Sequence, residues 1–176
     1  MSLVKNAVLA VFSMCLAVSC FAQNAGIPAG GKWLESRSED KMTAVQKIRF
    51  ELDADNYLRG SDARPKVVLY CSDGKLSLGD FRPNARIAPP NRVSFWGRPE
   101  MKVRVRVDSS HSSHNWRWIN GDFLAMDGDT VRQLIASNVF KIQFLSDDGP
   151  QIAEFSPGGL DLGKVKAECG LKPQKP

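Results

Sequence analysis

Strict two-residue alternation of apolar and charged side chains is the feature that most limits how this chain can fold. From Lys47 to Ala54, Ile48, Phe50, Leu52 and Ala54 share one face, while Lys47, Arg49, Glu51 and Asp53 share the other. From Lys102 to Val107, Val103, Val105 and Val107 oppose Lys102, Arg104 and Arg106. Side chains alternate sides along a β-strand and recur every 3.6 residues along a helix, so both segments are half-buried strands. Shorter runs predict further strands over 66–71, 75–81, 92–96, 115–119, 139–145 and 151–155, with a first strand near Trp33. Asp73-Gly74 and the run Ser146 to Pro150 supply hairpin turns, and Pro83, Pro89 and Pro90 interrupt the chain before 92–96.

Helical spacing is confined to two places. Asp127 or Asp129 can cap a helix over 129–137 with Val131, Leu134 and Ile135 on one stripe. A short C-terminal helix over about 161–168 follows Gly158-Gly159 and carries Cys169 toward Cys71. The expected fold is mainly β: an antiparallel β-sandwich-like single domain, with one helix before the last strand pair and a short C-terminal helix. Because the first helix lies between strands, a mixed β-rich α/β arrangement is the alternative.

The termini set the compartment. Residues 1–22 read as a signal peptide: Lys5 forms the basic region, Ala7 to Val18 is an uncharged apolar run too short to span a bilayer, and Ser19 to Ala22 offers a cleavage site after Ala22. A second reading is a lipoprotein acylated at Cys20, the one route by which a membrane enters. Residues 23–31 form a flexible glycine-rich entry, 32–171 the single β-rich domain, and 172–176 a frayed tail. Export leaves two cysteines, Cys71 and Cys169, for one disulfide in the periplasm. That bridge closes a loop of roughly a hundred residues, for which chain entropy gives about 4–5 kcal/mol.

With 43% hydrophobic and 24% charged residues, the chain is neither disordered nor a multi-span membrane protein. Losing Lys5 with the leader lowers the formal net charge from +5 to +4. Such a mild excess permits contact with anionic surfaces, and export excludes nucleic acid as a partner.

Sequence patterns for catalysis are thin. His111 and His114, in SSHSSHNW, sit in what reads as a serine-rich loop without further ligands, so no metal is expected. Ser156 lacks the glycines of a nucleophile elbow, and the neighbouring serines do not make a triad by adjacency. No phosphate loop or dinucleotide fingerprint occurs, so no cofactor is expected. The most unusual composition lies at 92–118, where Arg92, Arg98, Lys102, Arg104, Arg106 and Arg117 interleave with Phe95, Trp96, Trp116 and Trp118. The predicted contact comprises Lys102, Arg104, Arg106, Trp116, Arg117 and Trp118, a cationic, aromatic-edged surface.

The order of landmarks adds one more expectation. Trp33 is followed by Ser-Glu-Asp-Lys-Met-Thr at 38–43, a Phe50-x-Leu-x-Ala-Asp strand, and a strand ending in Cys71. A V-x-V-x-V-D strand, a Trp-bearing hairpin, the helix DTVRQLIAS, Phe155-x-x-x-Gly-Leu and Cys169 complete the series. Over Trp33 to Cys169 this resembles the VasI/TagO family of periplasmic accessory proteins of type VI secretion. The chain departs from that family's pattern at Ala44, where an aspartate is usual, and in the arginine-rich segment 98–106. The resemblance implies a non-enzymatic exported adaptor that binds an envelope or secretion-machine protein, and it carries no catalytic residue. An anionic glycan is the other expected partner. The alternative functions are a cell-wall or glycan-directed hydrolase and a periplasmic lysozyme inhibitor.

Overall fold

A computed structural model describes residues 26–170; the leader, Cys20 and the tail 172–176 lie outside the described residues. The strands are β1 (Ile27–Pro28), β2 (Leu34–Glu39), β3 (Gln46–Asp53), β4 (Lys66–Ser72), β5 (Lys75–Arg82), β6 (Arg92–Val93), β7 (Pro99–Val107), β8 (Ser110–Ile119), β9 (Phe123–Met126), β10 (Phe140–Ser146) and β11 (Gly149–Phe155). Helices α1 (Gly128–Ala136) and α2 (Leu162–Cys169) precede β10 and follow β11. All strands join one antiparallel sheet in the order β1-β2-β3-β4-β5-β9-β8-β7-β10-β11, with β6 pairing β7. Mainly β with two helices is therefore the fold.

Alternation places the core. Ile48, Phe50 and Leu52 on β3 and Met101, Val103 and Val105 on β7 are all buried. Each such side chain contributes about 1.5–3 kcal/mol by leaving water. The sheet rolls so that its two halves face each other across these residues. Phe81 of β5 meets Phe144 of β10 at 5.1 Å and Phe155 of β11 at 6.3 Å between ring centroids. Opposite ends of the sheet are clasped by polar contacts: the amide of Asp55 donates to the carbonyl of Glu154 at 2.7 Å, and Asn56 bonds the backbone of Ile152 and Glu154. Trp33 is buried and its indole N–H donates to the carbonyl of Pro157 at 2.8 Å. There Gly30 and Gly31, with φ of 98° and 55°, lie so close to Gly158 and Gly159 that a Cβ on either would strike a carbonyl oxygen. Part of the glycine-rich entry thus forms β1 and packs into this seam.

Caps fix both helices. Asp127, rather than Asp129, is the N-cap of α1, its side chain accepting the amide of Thr130. Asp161 caps α2 in the same way, and Gly170 ends it in the left-handed conformation. Helix α2 brings Cys169 to Cys71 of β4 with their Cα atoms 5.1 Å apart, closing the predicted disulfide. It also covers Glu35, a buried carboxylate on β2 paired with Arg37 at 2.5 Å and Lys164 at 2.6 Å. Burial opposes the Glu35 charge, but hydrogen bonds from Lys164 and Arg37 outweigh it and hold the carboxyl below its ordinary pKa.

Two expectations for the 92–118 region need correction. Only Arg92–Val93 of the strand expected over 92–96 is extended; Ser94 begins a turn. The strand expected at 115–119 starts at Ser110, so Ser110 to His114 are ladder and not loop, because β7 offers them a row of partners.

Candidate functional site

Register decides which charges gather. Residues directly opposed in an antiparallel ladder share a face. Glu100 opposes Arg117, Lys102 opposes Asn115, Arg104 opposes Ser113, and Arg106 opposes His111. Across β10, Arg106 and Arg104 oppose Lys141 and Gln143, and on β6 Arg92 opposes Glu100. Because the valines of β7 point into the core, Lys102, Arg104, Arg106, Arg117 and Arg92 stand together on the outer face. Among the described residues, none of these five, nor Arg98, forms an ion pair. Arg106 instead donates to the backbone carbonyl of Asp108 at 2.8 Å. Segment 92–118 contains two carboxylates: Glu100, and Asp108, whose side chain is taken up by the amides of Asn138 and Val139.

At one end of this face the β6–β7 hairpin turns through Ser94 to Arg98. The amide of Ser94 donates to Arg98, that of Gly97 donates to Ser94, and the amide of Arg98 donates to the Ser94 hydroxyl. Gly97 takes a φ of 73°, a conformation that glycine adopts without strain. This rigid tip holds Phe95 and Trp96 outward, 92% and 79% exposed, with their rings edge to face at 5.2 Å. Val93 beside them is 70% exposed. Large aromatics are normally buried, so two adjacent ones in water mark a contact surface.

The structure divides the six residues predicted as the contact. Lys102, Arg104, Arg106 and Arg117 are exposed. Trp116 is fully buried, with its indole N–H donating to Asp127 at 3.0 Å, and so cannot touch a partner. Trp118 is half-buried, and its N–H donates to the carbonyl of Ala88 at 3.0 Å. Strand alternation puts both tryptophans on the face opposite Arg117. The aromatic edge is Phe95 and Trp96, and the sequence signal for it was the turn-forming Ser94 and Gly97 around them.

The strand character of 110–114 has a second consequence. His111 points outward and His114 inward, so the pair cannot share a metal. No group of His, Cys, Asp and Glu placed to hold one occurs among the described residues. His114 instead lies between Ser112, whose Oγ is 2.7 Å from Nε2, and Asp127, whose Oδ2 is 2.8 Å from Nδ1. Asp127 also accepts from Trp116 and from the Thr130 hydroxyl. Burial works against its charge, yet the Thr130 amide and hydroxyl, the Trp116 indole and His114 hold its carboxyl below the ordinary range. With the carboxylate accepting Nδ1–H, Nε2 is left to accept the serine proton. That order is the order of a nucleophilic relay. A neighbouring cavity of about 400 Å³ is lined by Val107, Asp108 and residues of α1 rather than by Ser112, His114 or Asp127.

Neither a protein-family model nor a curated protein sequence matches this chain. Among solved structures it is similar to invasion associated protein B from Bartonella henselae, at 14% identity and a TM-score of 0.45, over 80% of this chain and 95% of that one.

Proposed function

We propose that this protein is a non-enzymatic binding or adaptor module of the bacterial envelope, exported to the periplasm and accessory to a type VI secretion machine. One observation carries the binding role: six cations that form no ion pair among the described residues, Arg92, Arg98, Lys102, Arg104, Arg106 and Arg117, lie on the same half of the sheet as the exposed Phe95 and Trp96. A net positive sheet face attracts an anionic partner, and exposed aromatics supply contact area at low entropy cost. The signal-like leader and the disulfide support an oxidising compartment, and the landmarks shared with the VasI/TagO family support the secretion role. A lysozyme inhibitor fits less well, since this face would repel a basic enzyme.

The test is in-cell cross-linking of tagged protein, with the captured partners identified by mass spectrometry. The expected result is recovery of secretion-machine membrane subunits by the wild type and their loss in Arg104→Glu/Arg106→Glu at an unchanged melting temperature. Capture that survives the double reversal would remove the face from the interaction. Recovery of peptidoglycan fragments would make the partner an anionic glycan.

The Ser112–His114–Asp127 geometry favours a second reading, a hydrolase. In it the Ser112 hydroxyl would attack an acyl carbonyl while passing its proton to Nε2 of His114. Labelling of Ser112 by a fluorophosphonate would support this, and its absence would leave the array as the anchor of helix α1.

A further inference from the structure

Resting on the binding role above, we infer that the Phe95–Trp96 tip docks the protein on the interface of an anionic phospholipid bilayer. Three features converge on that partner. First, the tip is held by its own turn bonds, and Phe95, Trp96 and Val93 stand well out in solvent. Second, the adjoining charge is one-sided: Arg92 and Arg98 flank the tip and Lys102 follows on β7, none of them ion-paired among the described residues, with Glu100 the lone carboxylate beside them. Aromatic side chains settle at the headgroup level, and neighbouring Lys and Arg side chains are drawn to anionic headgroups.

Third, the backbone sets the depth. The amides of Phe95 and Trp96 donate to no other group among the described residues, and an unpaired amide is costly in hydrocarbon. The tip therefore stops in the hydrated headgroup layer, where water still serves those amides and the arginines reach phosphate. Interfacial contacts of this kind reach roughly 5–10 Å into the boundary. With β6 and the start of β7 against the surface, the rest of the cationic face on β7 and β8 stays available to a second partner.

Trp96 provides the readout. Trp33 and Trp116 are buried and Trp118 is half-buried, which leaves Trp96 as the tryptophan whose surroundings a membrane would change most. The purified protein is titrated with vesicles of equimolar phosphatidylcholine and phosphatidylglycerol, and separately with phosphatidylcholine alone. Expected are co-sedimentation and a blue shift of tryptophan emission with the mixed vesicles, both weakened by salt. Phe95→Ser/Trp96→Ser should lose roughly tenfold or more in partitioning at an unchanged melting temperature. Arg98→Gln and Lys102→Gln should each lose about fivefold on the mixed vesicles.

Equal binding to both vesicle types, or binding that survives Phe95→Ser/Trp96→Ser, overturns the inference. So does failure to bind vesicles while cross-linking still captures a protein through Arg104 and Arg106, an outcome that leaves the binding-module reading intact. Vesicle binding through the tip without such capture sustains the lipid inference while the secretion-adaptor reading falls.

Discussion

The outer face of β2 to β5 and that of β6 to β8 belong to one sheet but treat charge in opposite ways. On the first, Lys47 meets Asp40, Arg49 meets Glu51, Lys66 meets Glu51 and Asp53, and Arg82 meets Asp80. On the second, six cations have no ion pair among the described residues. Exposed ion pairs contribute little to stability, typically under about 1 kcal/mol, so the contrast is not chiefly one of stability. What differs is the field each surface sends into solvent: the first cancels its own, and the second presents a positive one. The disulfide, helix α2 and the buried Glu35 all support the self-neutralised half, whereas the cationic half carries the exposed aromatic tip. One half is built to be held together and the other to be approached.

The largest way to disturb this contrast is to cut the staple. Cys71→Ser/Cys169→Ser should lower stability by about 4 kcal/mol, because the loop it closes spans 98 positions. Chemical denaturation measures that loss. At temperatures where the variant stays folded, capture through Arg104 and Arg106 should be unchanged, since neither cysteine touches that half. Loss of capture without unfolding would show that the two halves are coupled.

A smaller effect is expected at Glu35. Glu35→Gln should cost about 1–2 kcal/mol, with solvent screening through the half-exposed Arg37 keeping the value low. The pH dependence gives the sign. Folded Glu35 lies below its ordinary value of 4.5, so its contribution is whole above that pH and is lost as pH falls through the lowered folded value. Denaturation from pH 7 to 3 should therefore show wild type and Glu35→Gln converging in acid. A gap that stays constant would remove the ion pair as the source of the difference.

What could be read from the sequence, and what could not, follows the same physical divide between local and distant causes. Strands β3 and β7 were visible because their partners on both sides only reinforce the alternation already present. The Asp73-Gly74 hairpin, the two capped helices and the single cysteine pair were visible for similar reasons. Strand β2 was not foreseen in its register, for there Leu34 is exposed and Glu35 buried, the reverse of what either residue prefers alone. Lys164, from a helix more than a hundred positions away, reverses the preference of Glu35. Ser110 to His114 read as loop because serine and histidine have weak strand preference, and only pairing with β7 extends them. The Ser112–His114–Asp127 array was hidden for that reason, since two residues share a face only once the strand is known. NWRWI itself carries the alternation that sets Trp116 and Trp118 on the face opposite Arg117, whereas its composition alone groups the three together.

The finest test of the contrast swaps one charge at the middle of each half. Arg49 on β3 is ion-paired to Glu51 at 2.8 Å, whereas Arg104 on β7 stands between Lys102 and Arg106 with Ser113 and Gln143 opposite. Arg49→Glu removes an attraction and sets two like charges on one face, which should destabilise by about 0.5–1 kcal/mol. Arg104→Glu removes repulsion and places an acid among cations, so it should be neutral or stabilising by about 0.3 kcal/mol. The prediction is a difference of sign between two identical substitutions on equivalent strand positions. Denaturant midpoints at low ionic strength measure it, and about 1 M salt should bring the two variants together by screening both surfaces. If both reversals destabilise equally, side-chain packing outweighs charge on this sheet. The unpaired cations would then be ordinary solvated positions, with no field for a partner to follow.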